Sequence, residues 1–228
     1  MAAQTPKGNM PVVVLKDDAS QVKGREAQKN NIAAAKIIAE IVHTSLGPKG
    51  MDKMLVDSLG DVTITNDGAT ILKEIDVQHP AAKMLVEISK TTDNEVGDGT
   101  TSAVVLAGAL LEHAEALVLQ DVHPTIIVDG YRKAGRKAKE FLDQIADNVS
   151  ATDNGVLLKI AKTSMQTKLV RKDSEQLADM IVKAVKAVAE QSGDKYTVDI
   201  DDIKVEKKAG GSIKDSKIIQ GIVLDKEI

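Results

Sequence analysis

Apolar residues recur every three or four positions along most of the chain, the spacing that places them on one face of an α-helix. The first such segment, 25–46, is followed by Gly47 and Pro48, which commonly end a helix. The segment 102–120 is apolar almost throughout, so we expect it to be buried on most sides. The pattern predicts seven helices, at 25–46, 69–74, 80–92, 102–120, 124–147, 156–163 and 174–190.

Short runs of aliphatic and β-branched residues indicate a few strands. The runs 54–56 and 62–65 flank a turn and predict a β-hairpin. The runs 203–207 and 218–224 predict two further strands near the end of the chain. The apolar residues 12–15 could form an edge strand or belong to a mobile tail. The sequence thus predicts a mainly α-helical fold with small β elements.

A polar segment at 148–155 separates two parts of the chain that differ in character. The part before it consists of long helical patterns. The part after it has shorter helical patterns and then the strand-like runs. The run at 218–224 has no element after it and no obvious partner, which favours a truncated chain.

The composition restricts the class of protein. Of the 228 residues, 43% are hydrophobic and 28% are charged, with both signs interspersed as in globular proteins. The formal net charge of −4 argues weakly against nucleic acid as the main partner. No apolar run approaches the roughly 18 residues of a membrane span, and no secretory signal is evident. We therefore expect a cytoplasmic protein that binds neither nucleic acid nor membrane.

Several kinds of site are excluded or restricted by residue type. Because the chain has no cysteine, it has no disulfide, thiol nucleophile or cysteine-ligated metal. Aromatic residues make up 1%, so an adenine pocket would be aliphatic. The four histidines lack the spacing of a metal site, and His79 and His123, each before a proline, are expected in loops.

The most informative segment is the loop 97–101, Gly-Asp-Gly-Thr-Thr, directly before the helix at 102–120. Glycines let the backbone approach a ligand closely, and free N–H groups at a helix start attract anions. Asp98 would repel a phosphate unless a hard cation such as Mg²⁺ lay between them. The loop therefore predicts a phosphate and magnesium site, with ATP as the candidate ligand. The same residues also form ordinary turns, and taken alone that is the more frequent explanation.

Two other glycine turns and one lysine allow the same two interpretations. The turn at 46–50 ordinarily follows a helix, but it could also let a nucleotide lie against Gly47 and Pro48. Asp67, in an Asn-Asp-Gly turn, could orient a water or help to hold a metal. Lys168 follows the linker in a loop, where a lysine is usually solvent-exposed, but it could sense a γ-phosphate as a point charge.

These segments occur together in the order and spacing of a known family. They are 46–56 (LGPKGMDKMLV), 65–72 (TNDGATIL) and 97–101 (GDGTT), and the segments at 79–83 (HPAAK) and 123–125 (HPT) fit the same pattern. On these motifs the chain resembles the group II chaperonins, which comprise the archaeal thermosomes and their eukaryotic cytosolic relatives. The resemblance runs from about residue 20 to the end of the chain.

The resemblance implies a domain arrangement. Residues 1–150 would be the N-terminal part of an ATP-binding equatorial domain, which is a helical bundle. Residues 151–221 would be the N-terminal half of an α+β intermediate (hinge) domain, and 222–228 would begin a truncated apical domain. In this family a returning segment supplies a second catalytic aspartate and a glycine-rich loop. The resemblance therefore implies half of an ATP site here, with apolar helix faces exposed, so that ATP binding is a safer expectation than turnover.

The resemblance also implies roles for individual residues. Asp98 would ligate Mg²⁺, and Asp67 would act as the catalytic residue by lying near the γ-phosphate and positioning the attacking water. The residues that would hold the nucleotide come from three loops. They are Leu46, Gly47, Pro48, Gly97, Gly99, Thr100, Thr101, Ser102, Gln166, Thr167 and Lys168. The last three match a loop that senses nucleotide state in this family.

The function implied by the resemblance is that of an ATP-dependent chaperone subunit, which assists protein folding in a double-ring chamber and uses ATP/ADP with Mg²⁺. Its partners would be unfolded or partly folded client proteins and other chaperonin subunits. Two alternatives stay open at this point. One is a truncated module that binds nucleotide or partner subunits without turnover. The other is a small-molecule kinase with an unfamiliar phosphate loop, against which the lack of an evident substrate pocket argues.

Overall fold

Helices make up most of the fold in the computed structural model, which describes residues 22–193 and 195–223. The helices are α1 (Gly24–His43), α2 (Gly68–Glu74), α3 (Pro80–Val96), α4 (Thr100–Leu119), α5 (Pro124–Ile145), α6 (Asn154–Met165) and α7 (Ser174–Val188). The strands are β1 (Lys53–Val56), β2 (Val62–Thr65), β3 (Ala189–Ser192) and β4 (Lys195–Val198). Short 3-10 turns cover Leu169–Asp173, Ile200–Asp202 and Ile213–Asp215. All seven predicted helices are confirmed, with ends that differ by a few residues.

Side-chain caps fix where several helices begin. The prolines at the starts of α3 and α5 are preceded by His79 and His123, whose Nδ1 atoms accept hydrogen bonds from the N–H groups of Ala81 and Thr125. These histidines, predicted as loop residues, are therefore N-caps. Aspartate does the same for α6, where Asp153 accepts hydrogen bonds from the first turn. The sequence thus determines these helix starts through local contacts.

The core lies where α1, α3 and α4 pack together, with α2 beside them. It consists of aliphatic side chains, as the near absence of aromatic residues requires. Its buried members are Ala35, Ile38, Ala39, Val42, Ile71, Leu72, Ala82, Leu85 and Val104. Small residues bring the backbones close: a Cβ atom on Gly108 of α4 would overlap Ala39 of α1. On the partly exposed side of this contact, Lys36 forms an ion pair with Glu115 at 3.1 Å.

The prediction that the apolar helix α4 is buried on most sides is wrong. Only four of its residues are buried, and Leu119 is 74% exposed. Within the part of the chain that the structure describes, α4 is also the one helix long and apolar enough, by length and composition, to cross a membrane. This corrects the statement that no apolar run has that length. Helix α4 contacts α1 and α3 on one side and presents a second apolar side outward. Both sides are apolar, so the helix as a whole is rich in hydrophobic residues.

Helix α5 likewise has one buried residue, Ile127, whereas Phe141, Leu142 and Ile145 near its end are all more than half exposed. Exposed apolar helix faces are what the chaperonin resemblance led us to expect. The sequence pattern identified both helices, but it carried no information about what covers their apolar residues.

The strands form two separate antiparallel hairpins. The predicted one is confirmed, with β1 and β2 paired in a register that sets Lys53 opposite Thr65. The second, β3 with β4, was not predicted. The predicted strands at 203–207 and 218–224 are wrong for the residues described, since 203–207 and 218–223 are irregular. A strand needs a partner for its backbone groups, and these runs have none among the described residues.

The predicted segment 12–15 and residue Leu224 lie outside the described residues. Beyond the linker, α6 and α7 pack on each other and on the 3-10 turn Leu169–Asp173 between them. The connection from α6 to this turn crosses to the loops of the first part of the chain. The side chains at that crossing form the candidate site.

Candidate functional site

Two glycines shape the loop between α3 and α4. Gly97 ends α3 with φ of 70°, and Gly99 precedes α4 with φ of 75°. Both values lie in the left-handed region that glycine adopts without strain. A Cβ atom at Gly99 would meet nothing within 4 Å, so the space beside the loop is open. The loop therefore has the shape and the access that a bound ligand requires.

The first N–H groups of α4 have no partner within the helix. The first helical bond runs from the Ala103 N–H to the Gly99 carbonyl, at 2.9 Å. The N–H groups of Thr100, Thr101 and Ser102 precede that bond, and no side chain caps this end of the helix. Three donors at the positive end of a 20-residue helix dipole make a suitable environment for phosphate oxygens.

Asp98 provides a carboxylate beside these donors. It is exposed, and one of its oxygens accepts a hydrogen bond from the Gly99 N–H at 2.7 Å. In the described part of the chain no group of three or more His, Cys, Asp or Glu side chains could hold a metal by itself. Proteins often bind Mg²⁺ through one or two carboxylates together with substrate phosphates and water. Asp98 is a chemically suitable ligand only if phosphate supplies others.

The Asp67 turn lies directly against the first turn of α4. A Cβ atom on Gly68 would come within 2.9 Å of the Cα and N atoms of Thr101, and closer still to its hydroxyl oxygen. The turn is fixed by Asp67, whose Oδ2 accepts hydrogen bonds from the N–H and the hydroxyl of Thr70, both at 3.0 Å. Two loops that the sequence singled out separately are thus in contact.

Lys168 reaches the same turn from the second part of the chain. Its Nζ lies 2.5 Å from Asp67 Oδ1, and the two side chains are 32% and 30% exposed. The general expectation of a solvent-exposed loop lysine is therefore wrong. Burial opposes ionisation of Asp67, but the hydrogen bonds from Lys168 and Thr70 and the charge of Lys168 outweigh it and lower the pKa of Asp67. Asp67 is an ionised carboxylate at neutral pH.

Two contacts beside this ion pair involve residues that we did not select from the sequence. Asn66, which is 9% exposed, donates from Nδ2 to the Thr167 carbonyl at 2.6 Å. Arg171 donates from Nη1 to the Pro48 carbonyl at 3.4 Å. The segment 166–171 thus contacts both the Asp67 turn and the Gly47 turn. The only sequence signal for Asn66 was its place next to Asp67, and Arg171 had none.

The Gly47 turn follows α1, which ends at His43, so Gly47 is not the cap of that helix. Its φ is 84°, and nothing lies within 4 Å of a Cβ position there. The turn is closed by a bond from the Gly50 N–H to the Gly47 carbonyl at 2.9 Å. Leu46 is 41% exposed beside it. Gln166 caps α6 through its backbone N–H.

The four predicted loops are connected by three contacts. Arg171 contacts the Gly47 turn, Lys168 contacts Asp67, and Gly68 packs against Thr101.

Comparisons with known proteins identify the family of the chain. The profile of the TCP-1/cpn60 chaperonin family matches residues 38–228. The chain belongs to this family. Among the relatives of this chaperonin chain, thermosome subunit beta of Thermococcus sp. (strain KS-8) is 58% identical over 96% of the chain. Thermosome subunit alpha of Archaeoglobus fulgidus is 57% identical over the same share.

The resemblance drawn from the motifs is thereby confirmed. This chaperonin chain spans about 40% of the length of these curated relatives.

Proposed function

We propose that this chaperonin chain is part of an ATP-dependent molecular chaperone that assists protein folding, and that its four connected loops bind MgATP. The observation that carries the proposal is the contact between Gly68 and Thr101, because it sets the ionised Asp67 carboxylate beside a helix start whose first three N–H groups have no partner within the helix. A carboxylate and an anion site in contact are expected where water attacks a bound phosphate.

In this proposal the nucleotide is held mainly by backbone groups. The N–H groups of Thr100, Thr101 and Ser102 donate to phosphate oxygens, and the glycines at 97 and 99 leave room for their approach. Asp98 ligates Mg²⁺. The metal, when bound, neutralises charge on the phosphates. Leu46, Gly47 and Pro48 offer an aliphatic surface to the nucleotide, which agrees with the scarcity of aromatic residues.

Hydrolysis in this proposal depends on Asp67 and the 166–168 segment. Because its pKa is lowered, Asp67 is a weak base and acts by accepting a hydrogen bond from the attacking water and orienting it. Lys168 holds Asp67 in place through the ion pair and provides a positive charge that a γ-phosphate would attract. Gln166 and Thr167 directly precede Lys168 in the loop that reaches the site.

The wider assignments are proposals that extend the family membership. We propose the domain limits 1–150 for the equatorial part, 151–221 for the hinge part and 222–228 for the start of an apical domain. We also propose unfolded or partly folded client proteins and other chaperonin subunits of a double ring as partners, and a cytoplasmic location. The names of the relatives as thermosome subunits support an assembly of subunits.

ATP turnover tests the proposal, measured on the protein made from its complete coding sequence. We expect Mg²⁺-dependent release of phosphate from ATP and ATP-dependent refolding of a denatured client. Asp98→Ala should abolish turnover, whereas Asp147→Ala, which removes an exposed aspartate of the linker region, should leave it unchanged. Full turnover in Asp98→Ala would refute the metal assignment. ATP binding without turnover in the wild type would favour the non-hydrolysing module instead.

A further inference from the structure

The segment 166–171 is attached to the candidate site at more than one point. One attachment is the ion pair between the side chains of Lys168 and Asp67. Another is the hydrogen bond from Asn66 Nδ2 to the Thr167 carbonyl, 101 residues away in sequence. The first uses a side chain that a negatively charged ligand could draw away. The second uses the backbone and is unaffected by where the Lys168 side chain points.

The two attachments differ in their surroundings. The side chains of the ion pair are each about one-third exposed, so water and salt weaken their attraction. Asn66 is 9% exposed and its bond is short, at 2.6 Å. A buried amide that loses its partner is left unsatisfied, which makes such a bond costly to break. The Asn66 bond is therefore the better candidate for a fixed point.

We infer that Asn66 is a positioning residue, which holds the backbone of 166–171 at the nucleotide site while the Lys168 side chain exchanges between Asp67 and phosphate. This inference rests on the proposed function for the identity of the ligand. Asn66 itself does not contact the reacting atoms in this scheme. It keeps the Lys168 Cα in place, so that the lysine can release Asp67 without the segment leaving the site. Arg171 adds an exposed and longer contact to the Pro48 carbonyl, which is too weak to replace Asn66.

Amide hydrogen exchange on the protein made from its complete coding sequence tests this directly in the absence of nucleotide. Three N–H groups of the segment donate to nearby backbone carbonyls: Gln166 to Lys162, Lys168 to Met165, and Arg171 to Lys168. We expect Asn66→Ala to speed exchange of 166–171 by about tenfold. We expect Asp67→Asn, which removes the ion pair but keeps an N-cap side chain for α2, to change it by less than about threefold.

Asn66→Leu is the matched variant, since it keeps the approximate size of the side chain without a donor or a charge, and it should behave like Asn66→Ala. Asn148→Asp, at an exposed position in the linker, is the control and should have no effect. If Asp67→Asn releases the segment and Asn66→Ala does not, the inference is wrong. It is also wrong if Asn66→Ala speeds exchange equally in β1, β2 and α2, because Asn66 would then be only a structural residue.

Steady-state kinetics add a readout that a purely structural role would not reproduce. Asn66→Ala should lower kcat for ATP by about tenfold while KM stays within about threefold, because the loops at 46–48 and 97–102 are unchanged. A raised KM with unchanged kcat would overturn the inference. Failure of the proposed function has a different signature: the wild type would neither bind nor hydrolyse MgATP, and the exchange pattern without nucleotide would still decide whether Asn66 holds the segment.

Discussion

The contact between Gly68 and Thr101 makes the sharpest prediction, because the whole site depends on how closely these two turns approach. In Gly68→Ala the new Cβ atom would lie within 2.9 Å of Thr101 backbone atoms. Backbone atoms at the start of a helix cannot turn aside as a flexible side chain can. The α2 turn must therefore move away from α4, and Asp67 and its partner Lys168 move with it.

The magnitude follows from two opposing effects. Extra volume in a packed contact destabilises by about 1–3 kcal/mol. Replacing glycine by alanine in a helix stabilises by about 0.5–1 kcal/mol, and by less at the first helical residue. We therefore expect Gly68→Ala to lower the free energy of unfolding by about 1–2 kcal/mol. Gly135→Ala is the control: it lies in α5, nothing lies within 4 Å of its Cβ position, and it should stabilise by about 0.5–1 kcal/mol.

Urea denaturation followed by far-ultraviolet circular dichroism measures the two stabilities, and ATP turnover measures the site. A displacement of about 1 Å at a reacting centre can cost about 100-fold in rate. We accordingly expect Gly68→Ala to lower kcat by about 10- to 100-fold and Gly135→Ala to leave it unchanged. Wild-type stability together with wild-type turnover in Gly68→Ala would show that the two turns do not approach as described, and the proposed site would lose its main support.

Two further predictions concern stability. Because the pKa of Asp67 is lowered in the folded protein, its contribution to stability is present above its ordinary pKa of 3.8 and is lost as pH falls through the lower folded value. The difference in unfolding free energy between wild type and Asp67→Asn should therefore shrink below about pH 4. A constant difference from pH 7 to pH 2 in denaturation titrations would contradict the ion pair. Ser89 is 1% exposed, and its hydroxyl has no hydrogen-bond partner among the described residues. Ser89→Ala should therefore leave the free energy of unfolding unchanged or raise it by up to about 1 kcal/mol in the same assay. A decrease of more than about 1 kcal/mol would reveal a partner.

The helices could be read from the sequence because their signals are local. Periodicity, a proline at the first position and a capping residue before it all lie within one or two turns. Strands depend on a partner, and the runs at 203–207 and 218–224 have strand-like composition without one among the described residues. The hairpin of β3 and β4 was missed for the converse reason. In β3, Glu190, Gln191 and Ser192 are polar and show no alternation, so strand-favouring residues in β4 alone did not indicate a hairpin.

The loops of the candidate site were also predictable, but their contacts were not. Glycine spacing and helix starts identified the turns at 46–50, 66–68 and 97–101. Lys168 and Asp67 are 101 residues apart in sequence, so no local pattern predicts their contact. A loop lysine looks the same in sequence whether it is solvated or paired. The family resemblance supplied the association that residue-level reasoning lacked, although it did not point to Asn66 or Arg171.

The arrangement of contacts bears on how a nucleotide site could influence the rest of such a protein. Asp67 belongs to the part before the linker, and Thr167 and Lys168 to the part after it. In the proposed mechanism a phosphate draws Lys168 from Asp67, which removes one attachment between the parts, while the Asn66 bond to the backbone remains. When the Lys168 ion pair is lost, the remaining Asn66 bond, with the weaker Arg171 contact beside it, keeps the segment at the site as a pivot. The helices α6 and α7, which pack on this segment, would then rotate about the site instead of separating from it.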